Sequence, residues 1–161
     1  MPSAGRLAPA ARALHTHAEP LPPGPSPMQL RRRILLADDD TSVRAGMADL
    51  LVDLGLEVLE AENGHDAVEL ARASAIDAAL LDFHMPGLTG LECLPRLQDL
   101  RRGLPCIVYS GALTEEIEFA VRRAGAFGVL RKPVEPRLLR AEIRRALAAG
   151  RTDLPPDAFR S

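Results

Sequence analysis

Residues 78–87 read Ala-Ala-Leu-Leu-Asp-Phe-His-Met-Pro-Gly. The stretch begins with a short apolar run, residues 78–81, which is followed directly by the carboxylate of Asp82. Four apolar residues bounded by a turn signal are typical of a strand buried on both faces. The same arrangement occurs nearer the start of the chain, where Ile34-Leu35-Leu36-Ala37 leads into Asp38, Asp39 and Asp40. The sequence therefore predicts two buried strands that both end at acidic residues.

Three further apolar runs alternate with segments of helical spacing. The predicted strands cover residues 34–37, 56–59, 78–81, 106–109 and 127–130. Between and after them, apolar residues recur at helical spacing, with Asp40 or Thr41, Asn63 and Thr114 as N-cap candidates. The last helix is expected to end near Gly150.

Five such strand–helix units indicate an α/β fold with a parallel sheet covered on both faces. Because crossover connections between parallel strands are right-handed, the sheet is expected to be doubly wound. Ligands bind such sheets at the carboxyl ends of the strands, where the strand order reverses. Functional residues are therefore expected directly after the apolar runs.

The composition suits one ordinary globular domain. The chain has 161 residues, of which 47% are hydrophobic, 26% charged and 3% aromatic, and its net charge is −2. No apolar stretch approaches the roughly 18 residues that a membrane helix needs, so no membrane role is expected. Cys93 and Cys106 are too few for a disulfide framework, and reduced thiols in a cytoplasmic protein are the simplest interpretation.

The two ends of the chain differ from its middle. Seven of the 14 prolines lie within residues 1–29, among alanines, serines and glycines. Residues 1–30 are interpreted as a disordered extension, 31–149 as the folded domain and 150–161 as a flexible tail. Two alternatives stay open for the extension: translation starts at Met28, or the segment is a transit peptide with Glu19 as its single acid.

The residues after four of the strands form a set with a chemical meaning. They are Asp38 and Asp39, Asp82, Ser110 with the small residues Gly111 and Ala112, and Lys132. Converging carboxylates repel one another, and a hard divalent cation such as Mg²⁺ relieves that repulsion. With a hydroxyl and an ammonium nearby, the set suits a phosphoryl group, and an aspartate can be its acceptor. Lys132 is the only lysine beside 19 arginines.

The chain resembles the receiver domain of two-component response regulators over about residues 32–148. The resemblance lies in Ile34–Asp40, in Ala78–Gly87 with Thr89-Gly90, in Ile107–Gly111, and in Ala124–Ala126 with Val129–Pro133. It implies a flavodoxin-like (βα)5 fold with strand order 2-1-3-4-5. Four motifs at four strand ends make it specific.

The resemblance also implies roles for these residues. Asp82 would accept a phosphoryl group from a sensor histidine kinase or a histidine phosphotransfer protein. Mg²⁺, or Mn²⁺, would be held by Asp38, Asp39, Asp82 and the backbone carbonyl of His84. Ser110, Gly111 and Lys132 would bind the phosphoryl group, and the Lys132–Pro133 bond would be cis. Such a domain is a phosphoacceptor that promotes its own phosphotransfer and dephosphorylation, and not a classical enzyme.

One position departs from the pattern of the family, and the role of another stays open. Many receivers carry an aromatic switch residue three positions before the lysine, and this chain has Val129 there. Tyr109 is a poor substitute, because strand alternation points it to the face of the sheet opposite that of its neighbour Ser110. The side chain of His84 is expected to be exposed, or else to affect phosphate lifetime.

The charge distribution suggests a partner surface. Residues 35–118 carry 17 acids and 5 arginines, whereas residues 122–145 carry eight bases and two acids. The basic 122–145 face is either a solvated surface or a docking site for an unknown acidic downstream protein. No DNA-binding motif accompanies it.

The sequence is compatible with three functions. The first is a single-domain response regulator whose output is a protein–protein contact. The second is a phosphate-independent interaction module with the same fold. The third is a magnesium-dependent phosphatase of the haloacid-dehalogenase type, suggested by Asp38-Asp39-Asp40 but leaving the motif around Asp82 unexplained.

Overall fold

The computed structural model describes residues 31–150, and they form alternating strands and helices. The strands are β1 (Arg33–Ala37), β2 (Glu57–Ala61), β3 (Ala78–Asp82), β4 (Cys106–Ser110) and β5 (Gly128–Arg131). The helices are α1 (Thr41–Asp53), α2 (Gly64–Ala73), α3 (Gly90–Leu100), α4 (Glu115–Arg123) and α5 (Pro136–Ala149). The predicted N-terminal extension and nearly all of the predicted C-terminal tail lie outside the described residues.

The five strands form one parallel sheet in the order β2-β1-β3-β4-β5, as predicted. The order reverses between β1 and β3, where Ala37 pairs with Leu81. On the other side of β3, Asp82 pairs with Tyr109 of β4. This register places the residues that follow β1 and those that end β3 and β4 at one edge of the sheet.

The core has two layers, one on each face of the sheet. One layer packs α2, α3 and α4 on the sheet through residues such as Leu35, Leu81 and Val108. The other layer packs α1 and α5 on the sheet through residues such as Leu36, Leu80 and Tyr109. All five residues of β3 and of β4 are buried, which explains why both read as continuous apolar runs.

Three strands (β1, β3 and β4) are each one residue longer than predicted, and the other two are shifted along the chain. The second strand was expected at 56–59 and lies at Glu57–Ala61, and the fifth was expected at 127–130 and lies at Gly128–Arg131. The Leu56 side chain is buried, but its backbone N–H bonds to the Leu51 carbonyl at the end of α1. Apolar pattern marks burial and not strand pairing, so it misplaces ends by one or two residues.

The helix starts follow the expected caps. Asp40 caps α1 by accepting hydrogen bonds from the backbone N–H groups of Ser42 and Val43. Asn63 and Thr114 cap α2 and α4 in the same way. The glycine at 125 has a φ of +99°, a conformation that favours glycine and ends α4.

Both cysteines of the described region are buried, unpaired thiols. Burial raises the pKa of Cys93 to about 11 and that of Cys106 to about 12, so neither is a reactive thiolate at neutral pH. Among residues 31–150, no helix has the length and hydropathy to cross a membrane.

We expect Asp40→Ala to lower the free energy of unfolding by about 1 kcal/mol, because two backbone N–H groups of α1 lose their acceptor. Urea denaturation monitored by circular dichroism measures this change. Asp40→Asn should cost much less, since asparagine is an equally good N-cap residue. Equal losses in the two variants would contradict the capping role.

Candidate functional site

The acidic residues predicted from the strand ends converge at the carboxyl edge of the sheet. Oxygen atoms of Asp38, Asp39 and Asp82 all lie within 4.8 Å of one another. Asp38 and Asp82 are buried, whereas Asp39 is exposed. The sheet register causes this convergence, because β1 and β3 are neighbours and both end here.

Lys132 lies between two of these carboxylates. Its Nζ is 3.3 Å from Oδ2 of Asp38 and 3.2 Å from Oδ1 of Asp82. Partial burial alone would lower the pKa of Lys132, but the charges of Asp82 and Asp38 outweigh it and raise that pKa overall. The lysine is therefore a fixed positive charge that offsets part of the repulsion between the acids.

Asp38 is completely buried and has several hydrogen-bond partners. Its Oδ1 accepts from the backbone N–H of Asp40 at 2.8 Å, and its Oδ2 accepts from the Tyr109 hydroxyl at 2.7 Å. Lys132 is the third partner of this carboxylate. A buried charge needs such partners, and here a backbone group, a hydroxyl and an ammonium provide them.

Asp82 is 3% exposed and lies at the end of β3. Burial and then the charge of Asp38 raise its pKa to about 6, while Lys132 acts in the opposite direction. The backbone N–H of His84 lies 3.4 Å from its Oδ1 and donates a long hydrogen bond to it. Asp82 is thus a partly neutralised carboxylate, still mostly ionised at neutral pH.

The three carboxylates fit a hard divalent cation. Carboxylate oxygens are the ligands that Mg²⁺ and Mn²⁺ prefer, and the exposed side of Asp39 leaves the cluster open to solvent on one side. The backbone carbonyl of His84, expected to be a fourth ligand, belongs to the turn directly after Asp82, and its role stays a prediction. The His84 side chain is exposed, as expected.

The hydroxyl and the small residues lie at the end of β4. Ser110 is completely buried, and its Oγ accepts a hydrogen bond from the backbone N–H of Ala112 at 3.2 Å. Gly111 lies beside Lys132, where an added Cβ would be 3.8 Å from the lysine Cβ. The Lys132–Pro133 peptide bond is cis. Val129 is half-buried and packs against the core layer of α2, α3 and α4.

Position 90 requires glycine, because the backbone beside Asp82 leaves no room for a side chain there. A Cβ at this position would lie 2.6 Å from the Asp82 carbonyl oxygen and 3.1 Å from the Phe83 Cα. Both contacts involve backbone, which cannot move aside as a flexible side chain would. Glycine therefore lets the start of α3 press against the end of β3.

Sequence reasoning missed two residues that contact the site. Arg44 of α1 is buried, and its Nη1 donates to the Asp38 backbone carbonyl at 2.7 Å. Its Nε lies 3.3 Å from Glu60 and its Nη2 lies 3.6 Å from Glu62, so the end of β2 is linked to the site through this arginine. The arginine falls on the buried side of the α1 helical pattern, which was the available signal.

Tyr109 is the second missed residue. Its ring faces the core layer of α1 and α5, as strand alternation predicted, but its hydroxyl reaches Asp38. The Lys132 Nζ lies 5.0 Å from the centre of the same ring. Tyr109 therefore contacts both Asp38 and Lys132 from the face of the sheet that α1 and α5 cover.

Comparisons with known proteins give a consistent result. The family profile of the response regulator receiver domain matches residues 34–144. A response regulator receiver protein of Anaeromyxobacter is 38% identical over 109 residues, which are 67% of this chain and 46% of that protein. A cyclic di-GMP phosphodiesterase of Thermotoga maritima is 34% identical over 116 residues, which are 71% of this chain and 30% of that protein.

Solved structures agree with the sequence relatives. A receiver domain protein of Methanospirillum hungatei has a TM-score of 0.73 and 29% identity, with 76% of this chain and 98% of that chain covered. The chemotaxis protein CheY4 of Vibrio cholerae has a TM-score of 0.69 and 28% identity, with 73% of this chain and 99% of that chain covered. The curated relatives are longer, and this chain spans about half of their length or less.

We expect Asp82→Asn to stabilise the metal-free protein at pH 7.5. The folded-state pKa of Asp82, about 6, exceeds its ordinary value of 3.8, so the folded protein binds this proton more tightly than the unfolded chain. The wild-type free energy of unfolding should therefore lose up to about 3 kcal/mol as pH rises from about 4 to above 6, and Asp82→Asn should not.

Urea denaturation in chelator at several pH values measures the difference between the two proteins. The advantage of Asp82→Asn should be present at pH 7.5 and shrink as pH falls towards 4. Asp40→Asn is the matched control, since it removes an exposed charge near the same edge of the sheet. A pH-independent difference would show that desolvation of the Asp82 charge is not its cause.

Proposed function

This chain belongs to the receiver-domain family of two-component response regulators, and from that premise we propose that Asp82 accepts a phosphoryl group in a Mg²⁺-dependent phosphorelay. The donor would be a sensor histidine kinase or a histidine phosphotransfer protein. The observation that carries the proposal is the placement of Lys132 within 3.3 Å of both Asp38 and Asp82, beside the open cluster of three acids.

In the proposed transfer, an Oδ atom of Asp82 attacks the phosphorus of a phosphohistidine. The new O–P bond forms as the P–N bond breaks, and the bonding electron pair goes to the imidazole nitrogen, which takes a proton. Hydrolysis of the aspartyl phosphate by water later returns Asp82 and inorganic phosphate. A carboxylate is the required form for attack, and a pKa of about 6 leaves Asp82 mostly ionised at pH 7.5.

The neighbouring residues would bind the phosphoryl oxygens. The Lys132 ammonium, already 3.2 Å from Asp82, would pair with one oxygen, and the Ser110 hydroxyl would donate a hydrogen bond to another. Asp38, Asp39, Asp82 and the His84 carbonyl would hold Mg²⁺ or Mn²⁺, which supplies positive charge against the charge that develops on the phosphoryl oxygens. Gly111 leaves room beside the lysine.

The donor would approach over a groove beside the lysine. Val43, Met47 and Leu50 of α1 line this groove, and Pro133 and Val134 line its other side next to Lys132. An apolar helix face that lies in the groove would bring a histidine towards the acids. We therefore assign the groove to the phosphodonor.

The output would be a shift between two populations of the domain and a protein–protein contact. The basic 122–145 face is the proposed contact surface for an acidic downstream protein. Arg123, Arg131, Arg137 and Arg144 are exposed there, whereas Arg122 and Arg145 pair with Glu118 and Glu142. Exposed Phe119 of α4 and Leu138 of α5 add apolar area on the same two helices.

We further propose that residues 31–149 act as the receiver unit in the cytoplasm. The unpaired thiols of Cys93 and Cys106 suit a reducing compartment. Because the curated relatives are longer than the match, the phosphodiesterase activity named for the Thermotoga protein is not transferred to this chain.

We expect incubation with Mg²⁺ and acetyl phosphate to add one phosphoryl group to the protein. Asp82→Asn and excess chelator should each abolish the adduct, and Asp40→Asn should leave it unchanged. Intact-mass spectrometry at neutral pH measures the adduct, and its loss after mild alkaline treatment identifies an acyl phosphate. Acetyl phosphate is a small donor, so the test does not depend on knowing the cognate kinase.

The outcomes separate the three functions considered. An adduct that needs Asp82 and Mg²⁺ supports the phosphorelay. No adduct with acetyl phosphate or with purified histidine kinases would contradict it and favour a phosphate-independent module. Loss of the chemistry in Asp40→Asn, with Asp82→Asn still active, would instead favour a haloacid-dehalogenase-type phosphatase.

A further inference from the structure

We propose that Tyr109 is a positioning residue of the metal site, whose hydroxyl fixes the orientation of the Asp38 carboxylate and so strengthens Mg²⁺ binding. This inference rests on the proposed function, since it concerns the same acidic cluster. Tyr109 lies on the opposite face of the sheet from Val129, the position at which many receivers carry an aromatic switch residue.

The backbone of Tyr109 is fixed on both sides. Within β4, Tyr109 pairs with Asp82 of β3 and with Leu130 of β5. Its side chain is completely buried in the layer that α1 and α5 form on the sheet. The ring therefore has little freedom, and the position of its hydroxyl is set by the core.

The Tyr109 side chain extends across the carboxyl edge of the sheet on the face that α1 and α5 cover. It starts from β4, passes beside β3, and donates to Oδ2 of Asp38 after β1 at 2.7 Å. A phenol has an ordinary pKa of about 10, which is well above neutral pH. The hydroxyl therefore keeps its proton and remains a donor at neutral pH.

The other side-chain partner of the same oxygen, Lys132, is less buried than Tyr109. The Lys132 side chain is 24% exposed and also pairs with Asp82. In the proposed transfer, Lys132 turns to a phosphoryl oxygen, and Tyr109 then remains as the side-chain donor to Oδ2. The backbone N–H of Asp40 holds Oδ1, so the two fixed donors together define the plane of the carboxylate.

A carboxylate held in this way presents its remaining acceptor positions in a constant direction. Hydrogen bonds to metal ligands orient the ligands, and their removal typically weakens metal binding about 10- to 100-fold. Asp38 is one of the two buried members of the acidic cluster, and Tyr109 donates a hydrogen bond to it. Loss of the Tyr109 hydroxyl should therefore weaken Mg²⁺ binding.

We expect Tyr109→Phe to weaken Mg²⁺ binding to the unphosphorylated protein roughly tenfold. The change removes one oxygen and keeps the buried ring. Isothermal titration calorimetry with MgCl₂ measures the dissociation constant. Ile143→Val is the matched control, since it trims the same core layer on α5 and should leave the dissociation constant unchanged.

A double-mutant cycle separates positioning from a general effect on stability. In an Asp38→Ala background, Tyr109→Phe should weaken Mg²⁺ binding no further, because its target carboxylate is gone. Unchanged binding in Tyr109→Phe, or an equal loss with and without Asp38, would overturn the inference. If Tyr109→Phe is partly unfolded at room temperature, the same variants are titrated at about 10 °C, where domains are typically near their maximum stability, with the same expected non-additivity.

Failure of the inference and failure of the proposed function are distinguishable in the same titration. A wild-type protein that does not bind Mg²⁺ contradicts the proposed metal site itself. A wild-type protein that binds Mg²⁺ as tightly as Tyr109→Phe contradicts only the role of Tyr109.

Discussion

The repulsion among Asp38, Asp39 and Asp82 is the constraint around which the carboxyl edge of the sheet is organised. A parallel sheet with neighbouring β1 and β3 brings these acids together, and two of them are buried. Lys132 offsets part of the repulsion by pairing with both buried carboxylates. A lysine at this position reaches two acids with one compact ammonium, whereas an arginine would present a wide planar fork. This accounts for a single lysine in a chain that otherwise uses arginine.

The architecture and the main site residues were predictable from the sequence because both depend on short-range patterns. Buried strands read as apolar runs, and N-cap residues such as Asp40 mark the start of a helix. The crossover rule then brings Asp38 and Asp82 to one edge of the sheet. Strand order and the roles of the residues came from the resemblance to receiver domains, and the order agrees with the structure.

The contacts of long buried side chains were not predictable in the same way. Alternation along β4 gives the face on which the Tyr109 ring lies, but not where its hydroxyl ends, several ångströms away and past another strand. Arg44 reads as one polar residue in a helix, and only the packing of α1 against β2 shows that it links Asp38 to Glu60. Both contacts depend on the distances between elements, which periodicity does not encode.

Tyr109 also gives the molecule an optical property. The chain contains one tyrosine, four phenylalanines and no tryptophan, so a single phenol ring gives most of its intrinsic ultraviolet emission. That ring donates its hydroxyl to Asp38 and has the Lys132 ammonium 5.0 Å from its centre. Any rearrangement of charge in the acidic pocket therefore acts on the only strong fluorophore in the chain. The protein therefore carries a native, label-free reporter in contact with its acidic cluster.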